Sequence, residues 1–443
     1  MRYGILSTLV LAACLAWTPW GHHHPVATTG TGGAAGAATG GVAGSAAGTT
    51  GTGGSATGGA TGGTAGVGTG GAAGAPVVGC GNGTVESGEF CDGSDLQGSS
   101  CTALGFGGGT LSCSATCQFD ASACTGGALT PTVAATVTSC AAPCGVFFDA
   151  TGTSGLSGSD YVGANWTWDF RDPARHTAAV GFVAGHVFDT AGTYVVTTRA
   201  RDLAGAAGWA TKTITVSASP YTNYYVSASG NDSNNGLSTT AAFATVAHAL
   251  TFLGSNKAVL LRRGDTFSGP TSTTTITGAE MISSYSDPAA PSSVAPIWTP
   301  HVPASSFSGV VFTLTGTNPR LTDIKVTATN LFRVAEVSSA TNAIIERVEA
   351  TGIGFDDSGS TAGQNFYVDG TATSSYIFDN NFHNFDGYGG FAVSNKLTIT
   401  GNTLNVFGGQ DHGFRVASGD RTVVSQNTIA ASDTDSPFSG ITI

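Results

Sequence analysis

"YIFDNNFHNFDGYGGFAVSNKLTITGNTLNVFGGQDHGFRV", Tyr376 to Val416, holds two short phrases that recur along the chain. One is Phe-x-Val: Phe391/Val393 and Phe414/Val416 here, with Phe332/Val334 and Phe366/Val368 before them. The other sets an Asn between apolar residues at fixed spacing: Ile377-Asn380-Phe382, Ile399-Asn402-Leu404 and, further on, Val424-Asn427-Ile429. Leu321-Ile324-Val326 has the apolar frame without the Asn, and Ile344-Arg347-Glu349 keeps only its first apolar position. The Phe starts lie 34, 25 and 23 residues apart. A period of about twenty residues or slightly more marks a solenoid whose every coil repeats the same strands. The longer first step predicts an insertion at "FDDSGSTAGQ".

Alternation of side chains along a strand predicts each Phe and Val inside and the residue between them outside. Arg333, Tyr367, Ala392 and Arg415 then form one outward row, with coils about 4.8 Å apart. Asn380, Asn402 and Asn427, one per coil, are expected to stack at tight bends and hydrogen-bond along the axis. Ile441 and Ile443 fall where the next inward strand belongs. That reads as a chain stopping inside a coil, either truncated or with something else covering the exposed strand edge.

The rest of the chain agrees with a mostly β architecture. Only 10% of its 443 residues are charged, against a usual ~25%. There are 66 glycines, and the long-helix formers Glu, Lys, Leu and Arg are scarce. The length suggests two or three domains. A net charge of -12 argues against a nucleic-acid surface, which needs clustered Lys and Arg.

The N-terminus, "MRYGILSTLVLAACLAW", carries one Arg and an apolar run too short to span a bilayer, as in a secretory signal. "LAAC", Leu11 to Cys14, resembles the lipobox of bacterial lipoproteins, which implies a lipid on Cys14 (residues 1–24). Residues 25–78 are nearly all Gly, Ala and Thr and cannot bury enough apolar surface to fold. They predict a disordered tether with a reach of about 40 Å. Residues 79–126 hold six cysteines, Cys80, Cys91, Cys101, Cys113, Cys117 and Cys124, with few large apolar side chains. Such a module depends on disulfides because its core is small. With Cys140 and Cys144 the count is eight once Cys14 is set aside, an even number suited to an oxidising compartment. "CGNG" and "GEFCDG" resemble cysteine-rich modules of bacterial envelope proteins. Glu86, Glu89, Asp92 and Asp95 read as a solvated acidic face, with a calcium site as the alternative.

Residues 130–218 alternate apolar and polar in short runs, as a β-sandwich does. "WTWDF", Trp166 to Phe170, and "HVFDTAGTYVVTTRARDLAG", His186 to Gly205, resemble PKD-type domains. Arg171 stands where that family usually has Gly. The resemblance implies a spacer or adhesion module, with Asp169 and Asp189 bracing turns and a Cys140–Cys144 staple at the first strand end.

From residue 222 to 443 the repeats take over. "YYVSASGNDSNNGLSTTAAFATVAHALTFL" reads as strand, turn and a short helix, with Phe243, Val246, Leu250 and Leu253 on one face and Thr240 as N-cap. "AVLLRRGDTF" follows as a further strand. This order resembles the start of right-handed parallel β-helix proteins of the pectate-lyase-like superfamily, where the helix plugs the end of the coil.

Tyr, Asp, His and Arg on one outward surface suit a sugar chain. Arg333, Asn365, Asp369 and Tyr388 are the expected substrate-binding residues. The resemblance to lyases implies a base among His412, Tyr367 and Lys396, charge neutralisation by Arg415, and calcium at Asp386 and Asp411. No catalytic signature of any one lyase family is present, so whether the chain is an enzyme is left open. The reading is an exported, lipid-anchored surface protein that binds extracellular or cell-wall polysaccharide. A lyase or hydrolase acting on uronate polymers is the alternative, and a passive structural surface protein a second.

Overall fold

The computed structural model describes Val10–Leu11 and residues 81–442, apart from 86–88, 105, 107, 116, 118, 122, 126–128, 157–159, 176–177, 204–205, 301–308, 328–331, 352–362, 386, 407–411 and 432–438. Cys14, Cys80, Glu86, Asp386, Asp411, the tether and most of the predicted insertion therefore lie outside the described residues. No helix among the described residues is long and apolar enough to cross a membrane.

The C-terminal half is a parallel β-helix of three sheets, and from Lys257 onward each coil supplies one strand to each sheet. The first sheet runs Thr222–Val226, Lys257–Arg262, Glu280–Tyr285, Arg320–Thr322, Ile344–Glu346, Tyr376–Phe378, Thr398–Thr400 and Val423–Ser425, with Val10–Leu11 paired at its far edge. The second sheet has seven strands, from Thr266–Ser268 to Thr428–Ala431, and the third has seven, from Thr274–Thr277 to Ser439–Thr442.

The first sheet's later strands are only three residues long because left-handed residues bound them on both sides. Asn342, Ser374, Lys396 and Arg421 have positive φ two residues before a strand, and Arg347, Asp379, Gly401 and Gln426 just after one. Beyond this second corner comes the asparagine ladder. Asn380 Nδ2 donates to Asn402 Oδ1 at 2.9 Å, and Asn402 Nδ2 donates to Asn427 Oδ1 at 2.9 Å. Each amide also donates to a carbonyl of the coil before it: Ile345, Ile377 and Ile399 respectively. Each Oδ1 takes a backbone N–H from that same neighbouring coil, from Val348, Asn380 and Asn402. The interior polar bend is thus satisfied by one residue type used once per turn.

The apolar frame is more regular than the sequence indicates. Leu321 pairs with Ile345, and Ile345 with Ile377, so Ile345, Val348 and Ala350 are the buried frame of that coil. Ile344 points the other way, into a second cluster described below.

The Phe-x-Val phrases hold for only two of four coils. Phe366 and Phe414 are buried, as are Val368 and Val416. In the coil between them, Gly390 pairs with both Phe366 and Phe414, which places Phe391 on the outside and Ala392 inside. The Phe366 and Phe414 rings meet across that coil at 5.9 Å, and a Cβ on Gly390 would lie 2.0 Å from the Phe366 ring. The interior slot is already full, so Phe391 is displaced by one position. Ahead of them, Ala335 and Val337 pair with Phe366 and Val368, leaving Phe332 half-buried outside the strand. Ile441 pairs with Phe414, as expected.

The helix at the start is Val246–Leu250, shorter than expected, and its N-cap is Thr245 rather than Thr240. Thr240 belongs to a separate 3-10 turn capped by Ser238. The Asp232 carboxylate accepts from the N–H groups of Ala244 and Thr245 and from the Thr245 hydroxyl, holding the chain extended up to the cap. Phe243, Val246 and Ala249 join the interior of the coil, with Leu250 and Leu253 packed at its margin.

Ahead of the coil lies a sandwich of a five-stranded and a three-stranded sheet. Trp166, Trp168 and Phe170 from the quoted "WTWDF" are buried in it. Arg171 has φ +54°, a conformation that favours Gly, and Asp169 braces it by accepting its N–H at 2.9 Å. The three-stranded sheet packs on the outer face of the first coil sheet, where Ile344, Tyr376, Phe378 and Val423 share a cluster with Phe147, Phe148 and Val187. Gly185 makes this close: a Cβ there would lie 1.9 Å from Thr398 Oγ1.

At this junction Asp189 does more than brace a turn. Arg175 pairs with Glu346, with Asp189 at 2.8 Å and with Asp379 at 3.1 Å. Arg347 pairs with Asp189 at 2.8 Å and Asp323 at 2.7 Å. Burial, then the Asp189 charge, raise the Glu346 carboxyl well above its usual range despite Arg175.

In the cysteine-rich module Cys91–Cys113 and Cys101–Cys124 are bonded, Cys117 is also in a disulfide, and Cys140–Cys144 closes the staple before the sandwich. The expected solvated acidic face does not form there. Glu89 and Asp92 are buried, and Asp92 accepts the backbone N–H groups of Gly81, Asn82 and Gly83, which fixes the "CGNG" loop. Asp95 remains exposed and braces Gln97. Glu89, Asp92 and Cys117 come close enough to share an ion, but a disulfide sulfur is no thiolate ligand.

Candidate functional site

The outward row on the third sheet is Glu336, Tyr367, Phe391, Arg415 and Thr442, by direct pairing from coil to coil. Two of the four residues expected in that row, Tyr367 and Arg415, are there. Ala392 is inside, for the reason given above, and Arg333 sits three residues earlier on its strand. Arg333 reaches the row nonetheless. Its guanidinium carbon lies 4.2 Å from the Tyr367 ring centre and 4.5 Å from that of Phe332. Gln364 Oε1 accepts from its Nε at 2.8 Å, and Glu336 accepts from NH1 at 2.9 Å.

Above Arg333 the stack continues. The Tyr367 and Phe391 rings are 5.7 Å apart and nearly parallel, at 22°. Arg415 then lies 5.5 Å from the Phe391 ring. Tyr388 stands edge-on to Phe391 at 6.1 Å, and its hydroxyl accepts from Arg415 NH1 at 3.5 Å. Guanidinium, ring, ring and guanidinium thus form a continuous ladder, each cation over an aromatic face. Tyr367 and Phe391 are partly exposed and Arg415 exposed. The ring faces turn along the stack against Arg333, each other and Arg415, so the ladder presents ring edges outward with a guanidinium at each end, that of Arg333 paired with Glu336.

The other expected residues divide clearly. Asn365 is buried in the wall of the coil, its side-chain amide making no hydrogen bond, and offers nothing to a ligand on the outer face. Burial favours the neutral form of Asp369, but hydrogen bonds from Ser338, Thr371 and Ala372 outweigh this and hold its carboxyl below the usual range. Asp369 is therefore committed to its turn. Lys396 occupies the left-handed corner between the third and first sheets, off the ladder. His412 begins the strand His412–Val416 and pairs by backbone with Ser439; its side chain lies outside the described part.

Sequence reading missed Phe391, Phe332, Glu336 and Gln364. It also missed a polar chain on the second sheet: Glu349 accepts from Lys325 Nζ at 2.6 Å and lies 2.9 Å from His383 Nε2. The double Gly at 389–390 was the one signal that could have shifted the register.

A family model for the PKD domain matches residues 129–218. Among solved structures, a rhamnogalacturonan lyase is similar at TM-score 0.30 and 15% identity, over 50% of this chain and 65% of that one. A pectate lyase is similar at TM-score 0.26 and 15% identity, over 48% of this chain and 79% of that one. The chain thus spans just under two thirds of the rhamnogalacturonan lyase. No curated protein sequence matches it. The chain carries a PKD domain at residues 129–218 followed by a parallel β-helix.

Proposed function

We propose that the third sheet of the β-helix binds an extended polysaccharide along the Arg333–Tyr367–Phe391–Arg415 ladder. The observation that carries this is the coil-by-coil stack of two aromatic faces between two guanidinium groups. The partly exposed ring edges offer a sugar chain apolar contact, and the exposed Arg415 guanidinium matches a carboxylate group, so an acidic polysaccharide is the favoured class. We infer from the sequence segments, a Cys14 lipid anchor, a tether and a spacer, a protein exported to the cell surface that holds this face away from the membrane. Cleavage before Cys14 then removes the Val10–Leu11 edge strand from the first sheet.

Electrophoresis through gels containing pectin or alginate tests the reading. The whole chain is retarded by at least one of them, and Tyr367→Ala with Phe391→Ala removes the retardation. Equal migration in all gels, with and without polymer, overturns it in favour of a passive surface protein.

A lyase is the second reading, favoured by the Arg415–Tyr388 contact beside the rings, a cation next to a phenol. It predicts a rise in ultraviolet absorbance from unsaturated products, lost in Tyr388→Phe. No rise on pectin, alginate or glycosaminoglycans removes it.

A further inference from the structure

A cavity of about 290 Å³ lies between the cysteine-rich module and the outer face of the five-stranded sheet of the sandwich. Its floor follows the strand register. Thr167 pairs with Arg199 and Arg199 with Trp209, which makes one cross-strand row of hydroxyl, guanidinium and indole. The module supplies the opposite wall with Phe90 and Phe119. Arg171, the residue with the left-handed backbone, lays its guanidinium 3.5 Å from the Phe90 ring centre.

Two observations show that the cavity is polar in an unsatisfied way. Thr197 lines it and is buried, yet its hydroxyl has no hydrogen-bond partner. A buried hydroxyl left so costs about 1–3 kcal/mol unless a ligand or water completes it. Arg199 donates only to the Ala103 carbonyl, at 3.0 Å, and no carboxylate of the described residues pairs with it. Arg171 has Asp169 at 3.1 Å, so the positive charge left without a carboxylate partner among the described residues is that of Arg199, which is exposed to solvent. Burial, and then repulsion from Arg201, pulls the Arg199 guanidinium below its usual value. An anion there relieves both.

We propose that this cavity is a binding site for a carboxylate-bearing sugar ring, a hexuronate. Arg199 and Arg171 take the carboxylate, Thr197 and Thr167 the ring hydroxyls, and Trp209 and Phe119 the C–H face. The volume sits at the small end of ligand pockets, which run from about 300 Å³, and so holds one ring rather than a chain. The site is separate from the β-helix ladder and stands or falls independently of it.

Calorimetric titration with D-galacturonate tests the proposal, using the whole chain carrying Tyr367→Ala and Arg415→Ala so that the ladder contributes nothing. Saturable binding is expected, at least about tenfold tighter than for neutral D-galactose, the factor that loss of one charged hydrogen bond commands. Arg199→Ala weakens it by a similar factor. Thr197→Val keeps the shape of the buried side chain and the fold, and still weakens binding about fivefold, the worth of one neutral hydrogen bond. No saturable binding, equal binding of galactose, or indifference to both substitutions overturns the proposal, whatever the ladder does with polymers.

Discussion

Asn402 is the middle rung of the interior ladder, and removing its amide exposes what the ladder contributes. Its Nδ2 group donates to Ile377 O and Asn427 Oδ1, each at 2.9 Å. Its Oδ1 accepts the Asn380 backbone N–H at 3.0 Å and Asn380 Nδ2 at 2.9 Å. Asn402→Ala leaves the Asn380 N–H and the Ile377 carbonyl buried with no replacement, in a bend closed to water. Two orphaned backbone groups cost about 1–3 kcal/mol each, so the variant is destabilised by about 3–5 kcal/mol. That is a large part of a typical total of about 5–15 kcal/mol. Asn427 makes similar bonds but is partly exposed, and solvent can replace them. Asn427→Ala is therefore expected to cost only about 1–2 kcal/mol. Urea denaturation gives the two differences. Hydrogen exchange at Tyr376–Phe378 and Thr398–Thr400 localises them, because solenoids open coil by coil. Equal losses in the two variants, or a loss below about 1 kcal/mol in Asn402→Ala, would mean that the buried amide does not hold the bend.

Further expectations follow from the junction and the N-terminus. Glu346 has a raised pKa in the folded chain, so it holds its proton above the pH at which the unfolded chain loses it, and it lowers stability as pH rises. Glu346→Gln should match wild type near pH 4 and gain on it by up to about 1.4 kcal/mol per pH unit above the usual carboxylate value; melting curves with no pH-dependent gap contradict this. Gly185→Val pushes a side chain into Thr398 and should detach the sandwich from the coil, read as protease sensitivity between residues 217 and 222 with the coil left intact; unchanged sensitivity counts against the packing described. Cys14→Ser should abolish incorporation of labelled fatty acid during expression in a bacterial host; persistent labelling removes the anchor.

The parts of the fold legible in the sequence were those fixed by residues acting within their own coil. Asn380, Asn402 and Asn427 announce the ladder because the Asn amide carries both a donor and an acceptor one methylene from the backbone, within reach of the neighbouring coil at that bend. The position of Phe391 was illegible because it depends on rings from the coils on either side. Phe366 and Phe414 fill the space over Gly390 and evict Phe391 to the surface, and that eviction is what completes the outward stack. Asn365 was misplaced for the converse reason: strand alternation fails where Asn365 and Phe366 are both buried. The roles of Asp189 and Glu346 depend on two segments more than 150 residues apart meeting at the junction; Arg175 and Glu346 are separated by 171 positions. The cavity beside Arg199 likewise needs the cysteine-rich module laid against the sandwich, which no local pattern encodes.

Polysaccharide binding along the third sheet is read from affinity against oligosaccharide length. From Glu336 to Arg415 the ladder climbs three coil steps, about 15 Å at the strand spacing of a sheet. Titration of the whole chain with an oligogalacturonide series should show affinity rising with length and levelling off once the oligomer covers that span. The Tyr367→Ala, Phe391→Ala variant should lose the length dependence. Affinity that is flat with length, or unaltered by removing both rings, contradicts a polysaccharide-binding face on the third sheet.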